Sequence, residues 1–528
     1  MSARDVIIGL DAGTSVIKAV AFDLDGRQIG AAETRNIYVR DEARHAVEQD
    51  LTLTWRNAAD VLRQLGETVA DLASRAAVLA VTGQGDGTCL IGPEGEPVAP
   101  AWLWLDGRSA GIVEEFEASG QRRVIYQTTG CGLNGSNQSG HLVWLDRHRP
   151  ELLDRAAFAC HIKDWLYFKL TGMRCTDVSE ATFTFGDFRR RSYDDKVIEA
   201  FGLAHRRELL PPIVDALRGD HHPLDAAAAA ATGLRQGLPV VLGYVDVVCT
   251  ALAVGLPDRA AQAGVSIVGS TGMHMRFEPD TKAVACGPEA SGYVMVLAPG
   301  TAARMQSNMA ASINIDWLVA LTRQAAQLLG HEVDSTDALA AFQGAVMREK
   351  AGQVLFHPYI DPAGERGPFV DAFARAQFVG LSNAVTFGGI IRGVYEGLAF
   401  AARDCFEAMG GPPAELRLTG GCSRSAALKS IFASVLGVPV REAHRAETGA
   451  AGAAMMGAVA TGIMQDLESA CRSFVEPTLG GLIEPERPLV PLYDELFGVY
   501  RRLRTDMRPV WRDLAHSRGR MQEEKVPV

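Results

Sequence analysis

Val6-Ile-Ile-Gly-Leu-Asp11-Ala-Gly-Thr-Ser15-Val16-Ile-Lys-Ala-Val-Ala-Phe22 opens the chain with two β-rich runs joined by a turn of small residues. Val6 to Leu10 reads as one strand, Asp11 to Ser15 as a tight turn, and Val16 to Phe22 as the returning strand. Asp23-Leu-Asp-Gly26 is a further turn before a third strand around Gln28 to Thr34. Helical periodicity follows from about Leu53 to Ala73, with Leu53, Ala58, Val61, Leu62, Leu65 and Val69 mostly on one face. Val78 to Thr82 then reads as a strand ending in the loop Gly83-Gln-Gly-Asp-Gly87. Strands alternating with helices in this way predict an α/β lobe.

A similar opening returns near the midpoint. Gln262 to Val268 is a strand-like run, and Gly269-Ser-Thr-Gly272 is a second small-residue turn. The remainder reads as mostly helical, with long patterns at Ile315 to Leu329 and Phe387 to Met409, and a strand-loop-helix at Leu416 to Leu436. Two turns of one chemistry, about a lobe apart, suggest an ancient duplication whose turns face one another. The chain of 528 residues is too long for one ordinary core and suits two lobes. The boundary is expected in the loop Leu256 to Ala263, giving lobes 1–256 and 257–528. Ala226 to Ala231 reads as low-complexity helix or linker, and the tail from about Arg512 as charged and frayed.

Composition narrows the function classes. Hydrophobic residues make up 47% and charged residues 22%, which suits a soluble globular protein. The formal net charge of −11 argues against nucleic acid, which needs clustered Lys and Arg. A small anionic nucleotide remains compatible, because backbone N–H groups and a metal can hold it. The nine cysteines form no C-x-x-C pair and read as core thiols of a reducing compartment. The N-terminus has no signal-peptide apolar region. The longest apolar stretch, Pro239 to Leu256, carries Asp246 in its middle, so a buried strand and helix are expected there rather than a membrane span. A cytoplasmic protein is the expectation.

Three small-residue elements could carry chemistry. In the first turn, successive N–H groups of Gly13, Thr14 and Ser15 can converge on phosphate oxygens, and Asp11 can hold a magnesium ion through water. Ser270, Thr271 and Gly272 repeat that logic in the second turn. Gly420, Gly421 and Ser423 lie in Leu418-Thr-Gly-Gly-Cys-Ser-Arg-Ser425, where glycines let a nucleotide lie against backbone at a helix start. Each also fits an ordinary hairpin or strand-to-helix turn. Downstream, Glu447-Thr-Gly-Ala-Ala-Gly-Ala-Ala454 opens a helix whose small residues permit close packing.

In this order the motifs resemble the FGGY carbohydrate kinase family over roughly residues 5 to 480. The resemblance is carried by Gly9-Leu-Asp-Ala-Gly-Thr14, Lys163-Asp-Trp-Leu-Tyr-Phe-Lys-Leu-Thr-Gly172, Gly243-Tyr-Val-Asp246 and Gly269-Ser-Thr-Gly272. It continues through Ile391-Arg-Gly-Val-Tyr-Glu-Gly-Leu-Ala-Phe400, Gly420-Gly-Cys-Ser423 and Glu447-Thr-Gly-Ala-Ala451. It implies two ribonuclease-H-like, actin-type lobes flanking a cleft, with ATP and Mg2+ as cofactors. Asp246 would be the catalytic base, in a loop after the strand Pro239 to Gly243, although its local sequence also fits a helix-capping aspartate. Asp11 would organise magnesium. Thr14, Ser270 and Thr271 would bracket the phosphates, and Gly420, Gly421 and Ser423 would line the adenosine pocket. The Lys163 and Trp165 segment is expected to be structural. Dimers or tetramers are common in the family, so a homodimer is compatible.

The acceptor loop should be Gly83 to Gly87, with Gln84 and Asp86 as polar groups between glycines. It has neither the Met-His pair usual in the family's xylulose kinases nor the Arg-Glu pair of its glycerol kinases. Asp86 could accept two neighbouring hydroxyls of a vicinal diol. In Trp102-Leu-Trp-Leu-Asp-Gly-Arg108, Trp104 could pack on the carbon face of a polyol while Asp106 and Arg108 supply polar ends, although core packing and a surface ion pair fit the same residues. The resemblance implies ATP-dependent phosphorylation of a small polyol, erythritol first, with L-xylulose or a related pentulose as the alternative. Two other classes stay open: a non-catalytic actin-type nucleotide-binding protein, and an α/β binding protein without nucleotide.

Overall fold

The computed structural model describes residues 4–523. Contacts divide the chain into two compact units. The first runs to Asp258 and also takes in Phe277–Ala303 and Arg445–Thr478; the second comprises Arg259–Arg276, Arg304–His444 and the chain from Leu479 onward. The first break therefore falls beside the position expected from sequence, but two later segments return to the first unit.

In the first unit, β1 (Val6–Ala12), β2 (Val16–Phe22), β3 (Gln28–Arg35), β4 (Ala76–Gly83), β5 (His222–Pro223) and β6 (Pro239–Leu242) form one sheet in the order β5-β6-β4-β1-β2-β3. β1 pairs antiparallel with β2, matching Ile8 to Ala21, and parallel with β4, matching Ile8 to Leu79. Val6, Ile7, Ile8 and Leu10 are all fully buried, which suits a strand covered on both faces. β3 is largely exposed and forms the edge. Helix α1 (Leu51–Thr68) begins at Asp50, whose carboxylate accepts from the Thr52 and Leu53 N–H groups, and it buries Ala58, Val61, Leu62 and Leu65. It stops five residues short of the expected Ala73, and Asp71 follows in the left-handed region at φ 56°. The Ala226 to Ala231 run is a short helix, Ala226–Thr232. Helices α2 (Ile162–Thr171) and α3 (Val178–Phe185) precede β6, and α4 (Asp246–Ala253) follows it.

The second unit repeats the pattern. β7 (Ala263–Val268), β8 (Gly272–Glu278), β9 (Ala302–Asn308), β10 (Glu415–Thr419) and β11 (Val440–Glu442) lie in the order β9-β8-β7-β10-β11. β7 pairs antiparallel with β8 and parallel with β10, and β10 pairs parallel with β11. The hairpin followed by parallel strands recurs, which gives the duplication a topological basis. Outside this sheet the second half is mostly helical, as its sequence pattern suggests. Helices α5 (Ser312–Leu328), α6 (Phe387–Ala408) and α7 (Ala426–Leu436) match the long helical patterns.

The chain then returns to the first unit as α8 (Thr448–Ala460), which lies on β1, β4 and α4 at backbone contact distance. A methyl placed on Gly452 would stand 1.9 Å from the Cys249 carbonyl oxygen, and one on Gly9 would stand 2.0 Å from that of Ala450. The small-residue run in α8 is thus a packing requirement of the sheet beneath it.

A final helix, α9 (Val490–Glu523), carries the segment expected to fray from Arg512 through position 523; residues 524–528 lie outside the described residues. Among the described residues no helix is long and apolar enough to cross a membrane.

These contacts predict opposite outcomes for two glycines. Gly452→Ala should cost about 1–3 kcal/mol by overpacking. Gly66→Ala, on an exposed turn of α1 with nothing within 4 Å of the added methyl, should stabilise by about 0.5–1 kcal/mol. Urea unfolding of the two variants against wild type checks both signs.

Candidate active site

Asp11 stands at the end of β1, directly opposite Lys18 of β2. Its Oδ1 is buried without a hydrogen-bond partner. Burial, then the nearby Glu447 carboxylate, raises its pKa to about 6, partly offset by Lys18. Lys18 bridges Glu447 at 2.9 Å and Glu33 at 3.3 Å, so its charge is shared. A methyl on Gly449 would lie 2.0 Å from Asp11 Oδ2, so only glycine in α8 leaves room for this carboxylate.

Asp246 is the first residue of α4 rather than a loop residue, and Val245 holds the cap position. Its Oδ1 accepts the Val247 N–H at 2.6 Å. The preceding turn is tied down by three bonds: Gly243 N–H to the Val81 carbonyl at 2.8 Å, Thr82 hydroxyl to the Tyr244 carbonyl at 2.7 Å, and Val245 N–H to Ser179 Oγ at 3.4 Å. Burial and the neighbouring Asp11 carboxylate push the Asp246 pKa up to about 8, with Glu180 adding to the rise and the Val247 N–H and Lys163 opposing it. A carboxyl group that can take up a proton near neutrality is what general-base chemistry requires.

Beneath this turn lies a buried ionic cluster. Lys163 is fully buried, 2.7 Å from Asp164 and in contact with Asp177. Burial alone would lower its pKa, but Asp164, Asp177 and Glu180 outweigh that and hold it above its ordinary value. Asp177 caps α3 by accepting the Ser179 N–H at 2.7 Å, and His161 lies 3.1 Å from Asp164 and 3.6 Å from Glu180. The Lys163 segment therefore braces α3, whose Ser179 supports the turn carrying Asp246. Glu180, with Oε1 buried and unpartnered, also lies against Gly85, where an added methyl would meet that oxygen at 2.7 Å.

The expected acceptor loop is shaped by its backbone. Asp86 adopts φ 56° and Gly87 φ 70°, and the Asn137 amide donates to Asp86 Oδ1 at 2.7 Å. Gln84 is buried and bonds Thr14 and Gln49. Trp104 is 39% exposed, with its indole N–H donating to Thr14 Oγ1 at 2.8 Å, so its ring remains available as a packing face. Asp106 is buried and saturated: its oxygens accept from Val47 N, Arg108 N and the Arg108 guanidinium. Arg108 is also bound to Glu48 at 2.8 Å and stacked 3.4 Å over the Trp102 ring centre. The geometry gives this pair a holding role around the Trp102–Arg108 segment.

In the second unit, Gly269-Ser-Thr-Gly272 forms the tight link between β7 and β8. The Ser270 and Gly269 carbonyls accept from Ala311 N at 2.7 Å and Ser312 N at 2.9 Å, which docks the turn on the start of α5. Ser270 is exposed and Thr271 half-buried. Gly420 adopts φ 94°, where a side chain would also meet the Val268 carbonyl oxygen at 2.8 Å. Gly421 faces open space, whereas Ser423 is buried and donates to the Gly420 carbonyl at 2.8 Å.

Sequence reasoning gave no role to Lys18, Glu180, His161, Asn36 or Gln49. Only the alternation of β2 and the capping pattern Asp177-Val-Ser hinted at the first two.

The site in the first unit sets a carboxyl group of raised pKa near the carboxylate of Asp11 at the end of β1. Residues 6–253 match the model of the FGGY family of carbohydrate kinases, N-terminal domain, and residues 264–461 match its C-terminal domain. An erythritol kinase of Brucella abortus is 49% identical over 97% of this chain and 98% of that protein. An L-xylulose/3-keto-L-gulonate kinase of Escherichia coli is 26% identical over 94% and 96%. Among solved structures, a xylulose kinase from Rhodospirillum rubrum superposes with TM-score 0.83 at 25% identity, covering 96% of this chain and all of that one. The chain belongs to the FGGY family of carbohydrate kinases, with the actin-type, ribonuclease-H-like fold of that family.

The raised carboxyl pKa values set a pH-dependent stability. Asp246 is near 3.8 unfolded and about 8 folded, so the folded state binds the extra proton between those limits and loses stability as pH rises through them. Asp246→Asn removes that loss. Its melting temperature without ligand should equal wild type near pH 4 and exceed it progressively up to about pH 8.

Proposed function

We propose that this kinase phosphorylates a hydroxyl of a small polyol, erythritol, with Asp246 as the base that accepts the hydroxyl proton. The observation that carries the base assignment is the half-buried Asp246 carboxyl, held by three anchored residues and raised to about 8. The 49% identity to an erythritol kinase over nearly the whole chain supports the acceptor, since the pentulose kinases are far more distant.

The acceptor would rest against Gln84, Asp86 and Trp104, with Asp106 holding Arg108 at the rim. As its oxygen bonds to the γ-phosphorus of ATP, the bond from that phosphorus to the bridging oxygen breaks and ADP leaves, while the hydroxyl proton passes to Asp246, help typically worth roughly 10²–10⁴ in rate. Gly13, Thr14 and Ser15 of the first turn offer backbone N–H groups to phosphate oxygens. In the second unit, taken alone, Ser270, Thr271 and Gly272 are candidates for phosphate contact, and Gly420, Gly421 and Ser423 for adenosine. ATP supplies the phosphoryl group, and Mg2+ neutralises its developing charge.

The residues present fit that cation. Asp11 has an orphaned buried oxygen, with the Glu447 and Asp246 charges close enough to shift titration in its neighbourhood. Asp11 would hold a magnesium ion together with waters and phosphate oxygens. The nine cysteines are all free.

Coupled ADP-release assays across erythritol, glycerol, xylitol, D-xylulose and L-xylulose test the acceptor. The highest kcat/KM should fall to erythritol, and a pentulose in first place would refute that choice. Asp246→Asn should lose about 10²–10⁴ in kcat while ATP–Mg still raises the melting temperature. Near-full turnover by that variant would overturn the base assignment.

A further inference from the structure

Side-chain amides close a ring on the first phosphate turn. Asn36 Nδ2 donates to the Gly13 carbonyl at 2.9 Å, and Gln49 Nε2 donates to Asn36 Oδ1 at 3.2 Å. Gln84 Nε2 donates to Gln49 Oε1 at 3.1 Å, and Thr14 Oγ1 donates to Gln84 Oε1 at 3.1 Å. Each amide gives through nitrogen and receives through oxygen, so the ring runs head to tail in one sense. It starts on the carbonyl of Gly13 and ends on the side chain of the next residue.

Three further bonds fix that sense. Gln49 Nε2 also donates to Thr54 Oγ1 at 2.6 Å, while the Thr54 hydroxyl is committed to the Asp50 carbonyl at 2.8 Å. The Trp104 indole donates to Thr14 Oγ1 at 2.8 Å. Asn36, Gln49, Thr54 and Gln84 are all buried. Turning the Gln49 amide over would set oxygen against Asn36 Oδ1 and nitrogen against Gln84 Nε2, which leaves buried groups unpaired. Gln49 is the member that touches both halves of the ring, and it lies away from the two segments that the ring joins.

We propose that Gln49 is a positioning residue for phosphoryl transfer: acting through Gln84 and Thr14, it holds the loop Gly83–Gly87 and the turn Gly13–Ser15 of the first unit in one fixed placement. The inference rests on reading those segments as acceptor loop and phosphate turn. It also redefines Thr14. With its proton directed to Gln84 and an oxygen lone pair occupied by Trp104, Thr14 offers a phosphate its backbone N–H rather than its hydroxyl. Gln84 keeps one N–H for the acceptor. Fixed placement matters because small errors in the approach of the reacting oxygen cost rate rather than binding.

The test is a double-mutant cycle of Gln49→Met, Gln84→Met and the pair, assayed on the full chain with erythritol and ATP–Mg. Gln49→Met should lower kcat about tenfold or more with KM for ATP little changed, on a protein that the unpaired amides destabilise but leave folded at the assay temperature. The double variant should be no slower than the slower single one, because both break the same ring. Independent, multiplying losses, or a folded Gln49→Met with kcat within about twofold of wild type, would overturn the proposal. Gln49→Glu, which keeps the shape and lacks the N–H donors, runs the same cycle if Gln49→Met fails to fold. A wrong acceptor shows in the wild type, and the cycle is then run with the acceptor that wild type does phosphorylate; a wrong ring shows only in the variants.

Discussion

Carboxyl groups crowded together and partly shielded from water are the constraint on which the first unit depends. Asp11 and Asp246 each raise the cost of ionising their surroundings, and Glu447 and Glu180 add to it. Lys18 and Lys163 answer that charge only in part, because each is shared between two carboxylates. Such an arrangement is costly in a resting protein and useful in one that receives a cation and a proton. The packing around it follows. Gly449 clears space for Asp11, Gly452 brings α8 against α4, and Ser179 supports the turn before Asp246.

The charged side chains of this unit differ in how fully they are bonded. Asp106 and Arg108 are saturated by each other, by Glu48 and by the Val47 backbone. Lys163, Asp164 and Asp177 satisfy one another in the interior, where removing one partner would leave an unpaired buried charge. In contrast, Asp11 Oδ1 and Glu180 Oε1 are buried and unpartnered.

Local sequence carried much of the fold. The first hairpin is correct to within two residues because Asp11 to Ser15 has the small, turn-forming side chains that a tight reversal needs. The α5, α6 and α7 patterns were legible because each has an apolar face of helical period. Other features depend on distant partners. Nothing near Arg445–Thr478 announces that it returns to the first unit; its glycines state only that something comes close. Asp246 was visible through its motif, yet its first-turn position on α4 and its raised pKa come from residues at 11, 179 and 180. Asn36 and Gln49 are ordinary polar residues in sequence, and only pairing across 13 to 70 positions makes them a ring.

The role proposed for Asp246 is to take the proton of the polyol hydroxyl during transfer. A crystal structure with erythritol and a non-hydrolysable ATP analogue tests it most directly. The account predicts one acceptor hydroxyl within about 2.6–3.2 Å of an Asp246 carboxylate oxygen, on the side facing the γ-phosphorus. An acceptor bound with all of its hydroxyls beyond that reach, and beyond a single bridging water, would contradict it.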